Sequence, residues 1–228
     1  MEGILYIVPT PIGNLEDMTY RAVRILKEVD LVLCEDTSVT QRLFKEYGIE
    51  TKTSVLYAQI GLKNIERIME QLKEGAKIAL VSDAGTPTIS DPGVLLVDRV
   101  RRELPEVKIV ALPGASALTT ALSASGISSA EFTFYGFLPH KKGRETLFRE
   151  IAESNRTSVF YESVHRIEKT LASLASHLQE TRMIAVAREL TKLHEEVVRG
   201  TVHEVKAYFE THKDHVRGEF VVLIEGKR

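Results

Sequence analysis

The strongest constraint on this chain is a rhythm. Short apolar runs of strand length alternate with stretches of helical spacing, and four such runs in the first half break into loops of Pro, Gly, Ser or acid. Residues 4–8 end in Pro9-Thr10-Pro11-Ile12-Gly13, and 31–34 in Glu35-Asp36-Thr37-Ser38. Residues 77–81 open into a long loop that starts Ser82-Asp83-Ala84-Gly85-Thr86-Pro87, and 108–112 into Pro113-Gly114-Ala115-Ser116. This alternation predicts an α/β domain with a mostly parallel sheet. In open sheets of that kind, ligands bind beyond the carboxyl ends of the strands, where these loops lie.

Helical spacing fills the intervals. Ala22, Val23, Ile25 and Leu26 mark a helix over 18–28, and Ile65, Ile68, Met69 and Leu72 mark another that Gly75 closes. Ser38 and Gln41 fit a capping box, which starts a helix running to about Tyr47 with Gly48 as its stop. Asp91-Pro92-Gly93 opens the next helix, with proline in a tolerated first-turn position.

The second half has a different texture. Residues 131–137 are aromatic and β-prone, and 138–143 form a polar, basic loop. Strands are expected over 158–161, 183–188, 195–200 and 220–224, with helices over 145–153, near 167–177, and after Thr201, where Thr201 and Glu204 fit a second capping box. Consecutive strands near the end can pair antiparallel, so this sheet is expected to be mixed. The small-residue stretch 117–125 holds the boundary, giving domains over 1–118 and 119–228.

Composition narrows the classes. A single cysteine, Cys34, excludes an intramolecular disulfide and a cysteine-built zinc site. No apolar run is long enough for a bilayer, and the chain enters its first strand without a basic leader, so a cytoplasmic protein with no membrane partner is expected. A net charge of -2 argues against a grip on long stretches of phosphate backbone. Positive charge is local, at His140, Lys141, Lys142 and Arg144 and again at Arg99, Arg101 and Arg102. Solvated faces are the plainer reading of both clusters, more so for the arginines.

Three loops carry the chemistry. The loop after residue 8 lacks the glycine spacing of a dinucleotide fingerprint and has no phosphate-loop lysine, which disfavours ordinary NAD or NTP binding. Residues 82–93 offer backbone N–H groups, hydroxyls and a carboxylate in a small volume. Residues 113–117 open a helix whose first N–H groups can hold a carboxylate. Each alone reads equally well as an ordinary turn; three at one sheet edge do not.

These loops, in this order, resemble the tetrapyrrole methylase superfamily. The matching segments are VPTPIGNLEDMTYRA at 8–22, LCEDTSVTQRLF at 33–44, SDAGTPTISDPG at 82–93 and LPGASALTTALSASG at 112–126. FYGFLP at 134–139, FYESVHRI at 160–167, VARELTK at 186–192 and GEFVVLIEG at 218–226 continue the match over nearly the whole chain. The resemblance implies two α/β domains with S-adenosyl-L-methionine held in a cleft between them, and no metal. The EDT and YESVHR segments are similar to the branch that methylates the 2′-hydroxyl of a cytidine ribose in small-subunit (16S) ribosomal RNA. That implies small-subunit RNA, within the assembled subunit, as partner, and a homodimer by analogy. Many members of the branch run on into a small helical C-terminal domain; this sequence stops at Arg228, so the extension is expected to be absent or cut away.

By similarity, the donor is expected to touch Pro11, Asp83, Ala84, Gly85 and Thr86, with Ser116 and Ala117 nearby. Tyr161, Arg188 and Phe220 are the expected walls around adenine and ribose. The reaction is an in-line displacement at a sulfonium methyl, which needs positioning, exclusion of water and a base for the hydroxyl proton. Polar candidates are Glu35, Asp36, Glu162, His165, Arg166, Arg188, Glu189 and Lys192. Glu35 and Asp36 rank first as base and Glu162 and His165 second, with Arg188 and Lys192 expected to hold phosphate or substrate. Helix capping is the plainer role for Asp36, and an ion pair for Arg188 and Glu189. Two rivals stand beside this reading: a methylase of a tetrapyrrole or a protein on the same fold, and a non-catalytic RNA-binding factor.

Overall fold

A computed structural model describes residues 2–56, 62–91 and 93–227. The chain divides into two compact units, Met1–Ser116 and Ala117–Arg228.

In the first unit, β1 (Ile4–Ile7), β2 (Leu31–Cys34), β3 (Thr53–Val55), β4 (Lys77–Leu80) and β5 (Lys108–Ala111) form one sheet in the order β3-β2-β4-β1-β5. Every pairing is parallel. The strands are apolar on both sides because both faces are covered, as parallel sheets require. Leu5, Ile7, Leu33, Ile78 and Leu80 face α3 (Leu62–Lys73) and α4 (Val94–Glu103). Val8, Val32, Cys34, Ala79 and Val81 face α1 (Tyr20–Glu28) and α2 (Thr37–Tyr47).

Local chemistry sets the helix ends. Thr19 caps α1 by accepting from the Ala22 N–H. The cap of α2 is Asp36, which accepts from the Ser38 N–H, so the expected Ser38/Gln41 box is replaced by a cap two residues earlier. Gly48, at φ 59°, ends that helix as expected. The helix expected from Asp91 starts at Val94 with Gly93 as its cap. A side chain at Gly93 would meet Leu80 at 2.5 Å. The expected role of Pro92 falls outside the described residues.

In the second unit, β6 (Phe132–Phe137), β7 (Thr157–Ser163), β8 (Met183–Arg188), β9 (Glu196–Thr201) and β10 (Glu219–Ile224) lie in the order β6-β7-β10-β8-β9. Only β6–β7 is parallel; the other three pairings are antiparallel, the expected mixed sheet. Phe160, Ile184, Val186, Phe220, Val222 and Ile224 face α6 (Arg144–Glu153), α7 (Ile167–His177) and α8 (Val202–Thr211). The Thr201/Glu204 box at the start of α8 forms with both of its bonds. On the other face Ala185, Ala187, Val221 and Leu223 are buried, and α5 (Ala117–Ser125) lies against β8, β9 and β10.

Candidate functional site

At the carboxyl edge of the first sheet the loops after β1, β4 and β5 are knitted together. Thr10 and Gly85 exchange two backbone hydrogen bonds, at 2.9 and 3.0 Å. The buried Thr10 hydroxyl donates to the Ser82 carbonyl at 3.0 Å, and the Ser82 hydroxyl to the Gly85 carbonyl at 3.0 Å. Thr86 reaches the third loop, its hydroxyl donating to the Ala115 carbonyl at 2.9 Å. Two glycines permit this closeness. Gly85 sits at φ 86°, and a side chain at Gly114 would meet Pro9 Cβ at 2.6 Å. Thr88 and Ser90, at φ 74° and 68°, hold left-handed backbone in the same loop, a strain that marks sites whose surroundings over-determine them.

Of the residues expected around a donor, Pro11, Asp83, Ala84, Gly85, Thr86 and Ser116 all belong to these loops. Asp83 and Ala84 are exposed, while Pro11, Thr86 and Ser116 are half-buried. Ala117 is the first residue of α5 and belongs to the second unit.

Carboxylates gather beside the loops. The backbone N–H of Asp36 donates to Asp83 Oδ1 at 3.2 Å, joining the ends of β2 and β4. Asp36 itself is committed as the α2 cap at 2.7 Å, and the hydrogen bonds from Ser38 hold its carboxyl below the usual range. Glu35 is different: burial pushes its carboxyl up, the charge of Asp83 adds to this, and a bond from the Asp83 backbone opposes it. Asp91, at the far end of the same loop, is pushed up to about 6 by burial and the charge of Glu35, against a hydrogen bond from Ser82. In the sequence Asp91 reads only as the start of a helix. The available signal was its place as the second carboxylate of a twelve-residue loop.

The second unit treats its polar candidates differently. Pairing places Glu162 on β7, Phe220 on β10, Arg188 on β8 and Glu196 on β9 in one row across the sheet. Paired residues share a face, and Phe220 is in the core beneath the helices, 6.0 Å from the Phe209 ring and 2% exposed. It forms no open wall. Glu162 has a fully buried side chain and is saturated. Arg144 Nη2 lies 2.9 Å away, Arg166 Nε 2.7 Å, the Thr170 hydroxyl 2.7 Å and the Ser163 N–H 2.9 Å. A carboxylate so enclosed organises its strand and helix and has no opening toward a substrate hydroxyl.

Arg188 is likewise buried, with Nε donating to Glu196 at 2.8 Å. Tyr208 and His215 also bond Glu196. Burial pushes the Glu196 carboxyl up, but Arg188, Tyr208 and His215 overcome it and hold the group at about 2. The plainer ion-pair reading of Arg188 therefore describes it within this unit. Glu189 and Lys192 form a second ion cluster with Glu219, at 3.0 and 2.9 Å from the Lys192 ammonium. His165 is exposed in the turn before α7.

Tyr161, one residue before Glu162, points to the opposite face. Its ring meets Phe134 and Phe137 edge-on at 5.0 and 5.3 Å, and Phe137 is 59% exposed. Tyr161 therefore cannot line one wall with Arg188 and Phe220 inside this unit.

The basic clusters separate as well. Arg99 and Arg102 pair with Glu103 and Asp98 one helical turn away, the plainer reading of that cluster. Arg144 turns inward to Glu162, which leaves His140, Lys141 and Lys142 exposed in the loop before α6. Among the described residues no helix is long and apolar enough to cross a membrane, and no group of three or more His, Cys, Asp or Glu side chains is arranged to hold a metal ion.

Comparison with known proteins agrees with this architecture. The chain is 45% identical over 228 residues to the ribosomal RNA small subunit methyltransferase I of Haemophilus influenzae, covering all of this chain and 80% of that protein. The protein of the same name from Thermotoga maritima is 46% identical over 225 residues, covering 99% of each. Among solved structures, the methyltransferase CobJ superposes with a TM-score of 0.70 at 18% identity, covering 100% of this chain and 97% of that one. Diphthine synthase does so with 0.71 at 15% identity, covering 97% and 90%. At those identities the likeness speaks for the fold alone. The family profile described as Tetrapyrrole (Corrin/Porphyrin) Methylases matches residues 4–206, and the chain belongs to that family.

Proposed function

We propose that the protein transfers a methyl group from S-adenosyl-L-methionine to the 2′-hydroxyl of a cytidine ribose in small-subunit ribosomal RNA. The observation that carries this reading is identity of 45% along the whole chain to a ribosomal RNA small subunit methyltransferase I.

The knitted loops of the first unit suit the donor. Gly85 and Gly114 let the three loops pack directly on one another, which makes the loop floor rigid. The exposed Asp83 carboxylate can accept from the donor's ammonium group, while Pro11 and Thr86 supply a rigid wall. When bound, the donor supplies an electrophilic methyl on a good leaving group. The protein's task is then to position the hydroxyl, exclude water and receive its proton. Glu35 is the base we assign: partly buried beside Asp83, it is more basic than an ordinary carboxylate and, unlike Asp36, is not spent on a helix cap. Exposed Lys141 and Lys142 are suited to RNA phosphates.

The test is methyl transfer from labelled donor to small ribosomal subunits lacking this methylation, run beside a porphyrin precursor. Nuclease digestion is expected to release label as 2′-O-methylcytidine. Label in the porphyrin alone, or on a base, would overturn the reading.

A further inference from the structure

Beside Pro11 and Asp83, the first unit holds a cavity of about 260 Å³. One wall is the chain after β1, including Pro11 and Leu15; the other is α2, through Val39, Leu43 and two charged residues, Arg42 and Glu46. Positions 39, 42, 43 and 46 are spaced three and four apart, so a single helix face presents all four. The walls are braced. The Tyr47 hydroxyl donates to the Leu15 carbonyl across the rim, and the Asn14 side chain caps the turn Leu15–Asp17.

We infer that this cavity receives the base of the acceptor nucleotide, swung out of its stack, and that Arg42 and Glu46 distinguish cytosine from uracil. The inference rests on the acceptor proposed above. Three observations carry it.

Size is the first. Pockets for drug-sized ligands such as the donor run to roughly 300–1,000 Å³, and this one is smaller, suited to a single base or nucleoside.

Position is the second. Pro11 and Asp83, both expected to touch the donor, also line this cavity. A donor held by these two residues and a base beside α2 would be neighbours, and Glu35 lies near enough to Asp83 to feel its charge.

Chemistry is the third. Apolar side chains on both walls suit the two faces of a base, and the charged pair suits its edge. Cytosine presents an amine donor at N4 and acceptors at N3 and O2, which match a carboxylate and a guanidinium. Uracil would set its O4 against the Glu46 carboxylate and its N3–H against Arg42. Among the described residues no ion pair engages Arg42 or Glu46, whereas Arg24, Arg99 and Lys206 are each paired one turn along their own helices. Both side chains are exposed, so replacing them does not cost the fold a buried partner.

The experiment uses small subunits lacking the methyl group, with cytidine or uridine at the acceptor position, and labelled S-adenosyl-L-methionine. The wild-type protein is expected to favour cytidine in kcat/KM by about 10- to 100-fold, the discrimination of one good hydrogen-bonded pair. Glu46→Gln, whose amide both donates and accepts, should bring that ratio close to one. Arg42→Gln should raise KM for the cytidine subunit about 10-fold, and Val39→Trp should block transfer by filling the cavity. Donor affinity, measured by calorimetry, should be unchanged in Glu46→Gln and Arg42→Gln, since neither residue is among those expected to touch the donor. A wild-type cytidine preference in Glu46→Gln, or wild-type transfer by Val39→Trp, overturns the inference and leaves the acceptor standing. Absence of transfer to either subunit by the wild-type protein overturns the acceptor itself.

Discussion

Each unit of this protein gathers carboxylates beside the ends of its strands, and the two gatherings are opposites. In the second unit Glu162 meets two guanidinium groups, a hydroxyl and a backbone N–H, and Glu196 is bonded to Arg188, Tyr208 and His215. In the first unit Glu35, Asp83 and Asp91 crowd one another with no guanidinium among the causes that shift Glu35 or Asp91. Buried charge normally comes paired, because an unpaired one loses its hydration without recompense. The saturated cluster therefore reads as framework. The crowded one carries a standing penalty, the arrangement expected where a carboxylate must take up a proton.

The sharpest way to break this comparison is to neutralise one residue on each side of it. Glu35→Gln removes the assigned base with little change of shape. Methyl transfer should fall by about 10²–10⁴-fold, the usual contribution of a positioned base, while donor affinity and the melting curve stay near wild type. The pH profile adds a second reading. Glu35 is shifted upward, so the wild-type rate should fall as pH drops through that raised value, and the variant should lack this limb. A transfer rate within a few-fold of wild type would return Glu35 to the framework class.

Glu162→Ala is the converse. It strands Arg144 and Arg166, only 12% and 16% exposed, without their carboxylate. Loss of one partner from a buried pair costs about 3–5 kcal/mol, which urea unfolding should register. A silent Glu162→Ala would mean that the cluster is dispensable and the contrast between the units false. A smaller effect is expected at the loop floor. Gly114→Ala puts a methyl group 2.6 Å from Pro9 Cβ, and overpacking of this kind costs about 1–3 kcal/mol. Donor affinity should fall with it, since Pro9 leads directly into the donor loop; unchanged affinity would place the donor elsewhere.

How legible these differences were in the sequence depends on what each one rests on. Strands with continuous apolar runs and helices with periodic ones declared themselves: α7 and β8 lie where spacing put them, and the Thr201/Glu204 box formed in full. β3 was missed because three residues, Thr53, Ser54 and Val55, carry too little pattern to register. The cap of α2 was misplaced by two residues because Asp36 and Ser38 compete for it, and only the backbone at Asp36, in extended conformation, decides between them. The loops of the first unit could be read because Gly, Pro and Ser advertise turns. The roles of Glu162, Arg188 and Phe220 could not, since they depend on register. Which face of a strand a residue occupies flips with each step along it, and pairing of β10 with β7 and with β8 turned all three toward the helices and Tyr161 away.

The finest test of the contrast is Asp91, where pairing and crowding make opposite predictions for stability against pH. Its carboxyl is raised from 3.8 to about 6, so between those values the folded protein holds a proton that the unfolded chain has released. Stability attributable to this residue therefore falls as pH rises from about 4 to about 6, opposite in sign to a salt-bridged carboxylate. Asp91→Asn should match wild type near pH 4 and become the more stable protein above pH 6. A shift of that size corresponds to roughly 3 kcal/mol at face value. The side chain is half open to solvent, and screening reduces the expected gain to about 1 kcal/mol. Urea unfolding at pH 4, 5, 6 and 7 measures it. A difference that does not change with pH, or one that favours wild type at neutral pH, would show that partners of Asp91 outweigh its burial and crowding. The crowded edge of the first sheet would then be framework of the same kind as the row beneath the helices of the second.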